Sequence, residues 1–151
     1  MNWLSLLATL VTLTFAGFVL YRYAYRGGAH LLLWGLGLIL YAIGTFAEFY
    51  LSLRWSAVWL HLWYIGGALL TAAWLGQGTV YLLVRRPLWL PHALMGLLLL
   101  GSIYAVWRTF ATPLDSAAFS AATAVSAQYK QIMPPGGVRL LTIPFNIYGT
   151  L

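Results

Sequence analysis

Four long apolar stretches constrain the fold of this chain more than any other feature. They run over Trp3–Tyr23, Leu31–Leu51, Val58–Leu82 and Trp89–Trp107. Each has about the twenty residues that an α-helix needs to cross roughly 30 Å of hydrocarbon. A backbone in lipid must satisfy its own hydrogen bonds, so such stretches form helices. The sequence therefore predicts an all-α, polytopic transmembrane helical bundle with four full spans in a single domain.

Composition agrees with a membrane protein and excludes several other classes. Of the 151 residues, 62% are hydrophobic and 7% are charged, whereas a soluble domain is about half apolar and a quarter charged. The net charge is +6, but the basic residues stand at the ends of apolar stretches. That pattern is typical of membrane topology, so we expect a lipid bilayer and not nucleic acid as partner. The absence of cysteine excludes disulfides, thiol catalysis and Cys-ligated metals.

The distribution of arginine predicts the orientation in the membrane. In the short loops, Arg22, Arg26, Arg85 and Arg86 follow the first and third spans and Arg54 follows the second. The long loop after the fourth span carries three further basic residues, Arg108, Lys130 and Arg139. Cytoplasmic loops carry the excess of Lys and Arg, so we expect the first and third loops inside and the N-terminus outside. The predicted location is the cell membrane, crossed several times.

The segment after the fourth span changes character. Residues 109–137 are rich in Ala, Ser and Thr, with Asp115 as a candidate N-cap and a Pro-Pro-Gly-Gly stop signal at the end. This composition predicts either a short interfacial helix on the outer membrane surface or a partly ordered loop. Residues 138–151 are apolar but too short to span. We interpret them as the start of a fifth helix of a longer protein, with a shallow re-entrant segment as the alternative.

Small residues predict which faces of the second and third spans pack together. One stripe of the second span holds Gly37, Tyr41, Gly44 and Glu48, and one stripe of the third holds His61, Ile65, Ala68, Ala72 and Gly76. Small residues let membrane helices approach closely, because lipid provides no hydrophobic drive for association. We therefore expect these two stripes to face each other.

The short connection between these spans predicts their register. It makes the two helices an antiparallel hairpin centred near Arg54–Trp55, so that residues equally far from the centre lie at equal depth. The expected facing pairs are Gly37 with Ala72, Tyr41 with Ala68, and Glu48 with His61.

Glu48 is the leading candidate site residue. It is the only acid before Asp115, and an ionisable residue inside a span marks a functional site with a partner to be found. The register makes His61 that partner. We interpret the pair first as an interhelical hydrogen bond near the outer surface, completed by Tyr64 or Arg54. The alternatives are a site that titrates protons or binds a ligand, or no contact at all.

Cofactor binding stays open at this stage. His61 could be the axial ligand of a haem iron or a chlorophyll magnesium, and the aromatic content could line a pigment or quinone cavity; no other metal site is expected. Gln77 lies in AWLGQGTVYLL, a glycine-containing stretch that lacks the Lys of a phosphate-binding loop and lies inside a span. We therefore interpret the stretch as close helix packing, and we expect Gln77 to donate an interhelical hydrogen bond. The sequence contains no recognisable catalytic constellation, and we predict no catalytic residues.

Two segments resemble a family of uncharacterised bacterial integral membrane proteins. They are LHLWYIGGALLTAAWLGQGTVYLL in the third span and IPFNIYGTL near the end. The resemblance implies a protein of about seven helices and carries no activity or catalytic residue onto any position.

The first functional hypothesis is therefore a non-enzymatic, structural or accessory subunit that packs against other membrane subunits or further C-terminal helices. The second is a membrane protein that binds a small molecule, pigment or quinone. The third is a transporter or sensor that depends on Glu48.

Overall fold

The computed structural model describes residues 2–150, and these form an all-helical bundle without strands. Its four long helices are α1 (Trp3–Arg26), α2 (Ala29–Leu51), α3 (Ala57–Leu83) and α4 (Trp89–Phe110), each long and apolar enough to cross a membrane. The predicted fold class is therefore confirmed. Each helix corresponds to one predicted apolar stretch and extends it by at most a few residues.

Consecutive long helices run antiparallel. Between α1 and α2 the chain reverses at Gly27 and Gly28, whose φ angles of 64° and 99° lie in the left-handed region that favours glycine. The hydroxyls of Thr9 and Thr45 lie 2.9 Å apart across the two helices. We call the end of the bundle where α2 ends and α3 begins the Glu48 end, and the opposite end the Gln77 end.

Helix α3 is the central element. Half of its most apolar window is buried, against 11% for the corresponding window of α1. The core is built around its first two turns and the segment that follows, including Leu60, Tyr64 and Leu69, each at most 1% exposed. The neighbouring helices therefore pack around α3, and each of them contacts a different face of it.

A π-helical segment, Tyr64–Leu70, interrupts the α-helical winding of α3. It brings Gly66 against α2 so closely that a Cβ atom there would lie 2.3 Å from the carbonyl oxygen of Leu40. Side chains supply extra donors along this segment: Thr71 Oγ1 donates to the Gly66 carbonyl, and Asn146 Nδ2 donates to the Ala68 carbonyl at 3.1 Å. Such widened turns are rare and occur often at functional sites.

The segment after α4 folds back onto the Glu48 end. It contains a 3₁₀ turn, Ser116–Ala118, and a short helix α5, Val125–Ile132. The Asp115 carboxylate accepts a hydrogen bond from the Ala117 backbone N–H at 3.0 Å. The candidate N-cap thus caps the 3₁₀ turn and not a longer helix, because residues 119–124 are not helical and α5 begins only at Val125. Val125, Ile132 and Met133 are almost fully buried and attach this segment to the bundle.

The last helix, α6 (Val138–Gly149), packs beside α3 and runs in the same direction. At its start, Tyr64 Oη donates to the Val138 carbonyl at 3.3 Å, and near its end Tyr148 contacts Gln77. The predicted apolar segment is thus a helix that packs on one face of α3 over the described residues, with Val138 buried and Leu140, Ile143 and Ile147 exposed. Leu151, the last residue of the predicted segment, lies outside the described residues. Its continuation as a longer fifth span stays a prediction.

Candidate functional site at Glu48

The structure gives Glu48 a different partner from the expected one. Its Oε2 atom accepts a hydrogen bond from Trp63 Nε1 at 3.2 Å, across the α2–α3 interface. The side chain is half-buried. His61 makes no hydrogen bond or ion pair with Glu48 in the described structure, so the predicted Glu48–His61 bond is not formed.

His61 lies on another face of α3. Its Nε2 atom is 3.3 Å from the carbonyl oxygen of Thr112, and its ring packs against Phe110 with a centroid distance of 5.1 Å. The residue is 8% exposed. His61 therefore connects the start of α3 to the end of α4.

The register of α2 against α3 explains this change of partner. The backbone N–H groups of residues 52–54 still bond to carbonyl groups in the last turn of α2, so the winding of α2 continues into the connection. The hairpin is centred between Trp55 and Ser56, one residue later than Arg54–Trp55, and facing residues shift by two. Two residues further along, an α-helix has turned by about 200°. When Trp63 faces α2 at the depth of Glu48, His61 therefore points to nearly the opposite side of α3.

The supporting residues predicted for the pair also bind elsewhere. Tyr64 contacts α6, as described above. Arg54 is exposed; its Nε donates to Tyr50 Oη, and its guanidinium lies 5.0 Å from the centroid of the Tyr50 ring. Neither residue completes a Glu48–His61 cluster.

Gln77 makes interhelical hydrogen bonds at the opposite end. It is fully buried; its Nε2 donates to the Pro91 carbonyl at 2.8 Å, and its Oε1 accepts from Tyr148 Oη. One amide thus joins α3, α4 and α6.

The predicted packing residues divide between two interfaces. Gly37 and Gly44 of α2 do face α3: a Cβ atom at Gly44 would lie 2.6 Å from the backbone nitrogen of Gly67, and one at Gly37 would lie 2.7 Å from the Leu75 side chain. Tyr41, from the same predicted stripe, is 42% exposed and lies outside the interface.

The small-residue stripe of α3 faces α6 instead of α2. A Cβ atom at Gly76 would lie 3.0 Å from the Cα of Gly149, and one at Gly149 would lie 2.5 Å from the carbonyl carbon of Ala72. The Ala68 carbonyl accepts from Asn146 on the same helix. The expected partner of Ala68, Ala72 and Gly76 was therefore incorrect, because α6 occupies the face that was assigned to α2.

A polar cleft of about 280 Å³ opens beside Glu48. Its lining consists of Asn2, Glu48, Ser52 and residues 121–125. The Asn2 backbone N–H donates to Ser52 Oγ at 3.0 Å, and Ser52 Oγ donates to the Phe49 carbonyl at 2.7 Å. The start of α1, the end of α2 and the returning segment thus meet around one carboxylate.

Gln128 of α5 holds the wall of this cleft. It is 3% exposed. Its Oε1 accepts from the Ser120 N–H at 2.7 Å, and its Nε2 donates to the carbonyls of Ser120 and Thr123 at 2.8 and 2.7 Å. No sequence pattern indicates this role, because Gln128 is one of several polar residues in a segment rich in Ala and Ser. Only the tertiary fold buries it.

The geometry of His61 does not favour an axial ligand. Its Nε2 faces a backbone carbonyl, and its ring is enclosed by Phe110 and the core of α3. A haem iron or a chlorophyll magnesium at Nε2 would have to displace the Thr112 carbonyl, in the segment just after α4. His30 and His92 lie toward the Gln77 end, where His92 Nδ1 is 2.6 Å from the carbonyl oxygen of Leu88, the residue just before α4.

Comparison with known proteins adds no relative. No protein-family model matches the chain, and neither the curated proteins nor the solved structures include one with significant similarity to it. The resemblance to uncharacterised bacterial membrane proteins stays a prediction. The structure supports the class directly: an all-helical protein with four helices long and apolar enough to span a membrane.

Proposed function

We propose that the protein is a non-enzymatic integral membrane subunit that packs within a larger membrane complex. The observation that supports the non-enzymatic, structural part of this proposal is the use of polar side chains along the long helices. Trp34 Nε1 donates to the Leu75 carbonyl at 3.1 Å, Trp74 Nε1 donates to Ser102 Oγ at 3.2 Å, and Gln77 joins three helices. These polar groups bind helix to helix, which is an architectural role.

Two further properties support an architectural role. Among residues 2–150, no buried polar side-chain atom lacks a hydrogen-bond partner. The helices approach closely where backbone meets backbone, at Gly44 with Gly66 and at Gly76 with Gly149. Close contacts of this kind fix one arrangement of helices, since an added methyl group would collide with backbone atoms.

The proposed location is the bacterial cell membrane, with the N-terminus and the Glu48 end outside. The support is the position of four arginines, all of which are exposed at the Gln77 end: Arg22, Arg26, Arg85 and Arg86. The short connection at the Glu48 end carries only Arg54. Among the short connections this asymmetry follows the positive-inside rule. The longer segment after α4 adds Arg108, Lys130 and Arg139 at the Glu48 end, so the proposed orientation rests on the short connections alone.

Purification of the tagged full chain from its own membranes in a mild detergent tests the subunit proposal. We expect native mass spectrometry to find it with another membrane protein at a fixed stoichiometry. A chain that is recovered only as a monomer, or one that carries a visible chromophore or a stoichiometric quinone, would contradict the proposal.

Thiol labelling tests the orientation, because the chain contains no cysteine of its own. Ala122→Cys and Leu88→Cys place single thiols at exposed positions of the Glu48 end and the Gln77 end. We expect a membrane-impermeant maleimide to label Ala122→Cys in intact cells and Leu88→Cys only after lysis. The reverse pattern would place the N-terminus inside.

A further inference from the structure

The carboxylate of Glu48 has more hydrogen-bonding capacity than the described residues use. An ionised carboxylate offers about four acceptor positions, and only Trp63 Nε1 donates to it within residues 2–150. Three cations of the Glu48 end contact aromatic rings: Arg54 lies over Tyr50, Arg108 lies 5.9 Å from the Trp107 centroid, and Arg139 lies 5.8 Å from the Tyr129 centroid. A negative group therefore faces the cleft without an ion pair from the described part of the chain.

The cleft around this group is a built feature of the fold. Its far wall, residues 121–125, is held by the three hydrogen bonds of the buried Gln128 described above and by Val125, which is 2% exposed. The near wall is tied by the bond from the Asn2 backbone to Ser52. A cavity whose walls are fixed in this way loses little conformational entropy when a ligand enters.

The acceptors in the cleft suit a donor with several N–H groups. Ser52 Oγ accepts one bond from Asn2 and retains a second lone pair. Ala121 and Ala122 line the cleft, and their carbonyl oxygens accept no hydrogen bond from the described residues. Together with Glu48, these oxygens are an acceptor set of net charge −1.

The volume of the cleft and its single carboxylate limit the kinds of ligand that it can bind. A cleft of about 280 Å³ lies just below the range for drug-sized ligands, roughly 300–1,000 Å³. A calcium ion takes six to eight oxygen ligands, commonly from several carboxylates, whereas this cleft has one. Among the described residues, no group of three or more His, Cys, Asp or Glu side chains could hold a metal. A small monovalent cation with directional donors fits these limits.

We infer that the cleft at Glu48 binds a primary ammonium group. Its three N–H donors hydrogen-bond to the Glu48 carboxylate, to Ser52 Oγ and to the carbonyl groups of residues 121–122. This inference goes beyond the proposed subunit role and does not depend on it, since helix packing elsewhere in the bundle is unaffected by an empty cleft.

Two sources can supply this chemistry. One is a small soluble amine, and the other is the headgroup of phosphatidylethanolamine, since the cleft lies at the end of the proposed membrane spans, where headgroups are expected. In both, the recognised group is the same ammonium. Choline and phosphatidylcholine provide matched negative ligands, because their trimethylammonium groups carry the charge without an N–H donor.

The test uses the full chain in phosphatidylcholine nanodiscs, with ethanolamine binding measured by saturation-transfer NMR. We expect saturable binding of ethanolamine and no binding of choline. For the lipid source, native mass spectrometry in detergent compares retention of phosphatidylethanolamine with that of phosphatidylcholine. Preference for the former at one copy per chain identifies the lipid as ligand, and ethanolamine binding alone identifies a soluble amine.

Glu48→Gln is the decisive variant. Loss of a charge-assisted hydrogen bond should weaken ethanolamine or phosphatidylethanolamine binding about tenfold or more. Asp115→Asn is the matched control, because it removes the only other acid of the chain at an exposed position outside the cleft lining. It should leave binding unchanged.

Ala122→Phe keeps the test valid if Glu48→Gln does not fold. Ala122 is exposed and lines the cleft, so a phenyl group there fills the site while Glu48 stays in place. We expect it also to abolish binding. Equal binding in wild type and both variants, stronger binding of choline than of ethanolamine, or no saturable binding of either amine source would overturn the inference.

Discussion

Gln77 and Glu48 lie at opposite ends of the bundle, and they differ in how many of their hydrogen-bonding positions are occupied by neighbouring residues. Gln77 is fully buried, and both ends of its amide are bound by groups on α4 and α6. Glu48 is half-buried, accepts one described hydrogen bond and borders an open cleft. Both residues are polar and lie in apolar helices, yet only Glu48 has acceptor positions that a ligand can use.

This difference separates architecture from recognition within one helix bundle. A buried polar group that is fully paired fixes helix positions, and its removal leaves its partners unsatisfied. A charged group with unused capacity at the rim of a cleft contributes less to stability and more to binding. Glu48 is a rare acid in the sequence, but its hydrogen bond to Trp63 and its position beside the cleft follow only from the tertiary fold.

Gly66→Ala should lower the free energy of unfolding most, and it should affect the Glu48 end more than the Gln77 end. A Cβ atom there meets the Leu40 carbonyl oxygen at 2.3 Å, and such overpacking costs about 3 kcal/mol. The strain should push α2 away from α3 and weaken the Glu48–Trp63 bond, while the bonds of Gln77 remain. The free energy of unfolding can be measured by SDS titration in mixed micelles, with Trp fluorescence as the signal.

Gly17→Ala and Gly96→Ala are controls for this prediction, because a Cβ atom at either position has no neighbour within 4 Å. Both variants should unfold like the wild type. A Gly66→Ala protein as stable as these controls would refute the close contact between α2 and α3.

Gln77→Leu should have an intermediate effect. It leaves the Pro91 carbonyl and the Tyr148 hydroxyl without their partner, which costs about 2 kcal/mol for buried groups. Gln131→Leu, at an exposed position on α5, is the matched control and should change the free energy of unfolding little. The same SDS titration compares the two variants, and equal stabilities would mean that Gln77 does not join the helices.

Glu48→Gln should have the smallest effect on stability. The amide oxygen can still accept the hydrogen bond from Trp63, so we expect a loss of about 0.5 kcal/mol, close to the average interhelical hydrogen bond in membranes. Its effect on amine binding should be far larger. If Glu48→Gln destabilises the bundle more than Gln77→Leu does, the roles assigned to the two ends are reversed.

The positions of the four long helices were predictable from the sequence. Hydropathy and length decide whether a segment can satisfy its backbone in lipid, and both are properties of consecutive residues. Gln77 as an interhelical donor followed from the same reasoning, because a polar amide inside an apolar helix needs a partner on a neighbour. The identities of those partners, Pro91 and Tyr148, did not follow.

The pairing of α2 with α3 was predicted one residue from its true centre. The sequence shows that the connection is short but does not show that α2 keeps winding through residues 52–54. An error of one residue at the centre moves the facing partner by two and rotates it by about 200°. The expected pair of Glu48 with His61 therefore became Glu48 with Trp63, and His61 turned toward Thr112.

The sequence by itself determined the class of this protein, the extent of its long helices and the singular position of Glu48, because these depend on local hydropathy and on counting charges. The tertiary structure alone decided that the stripe of Ala68, Ala72 and Gly76 faces α6, and that a segment held by Gln128 forms one wall of a cleft beside the carboxylate. Both depend on contacts between residues far apart in the chain. Helical periodicity identifies a face, but only packing in three dimensions chooses which neighbour that face meets.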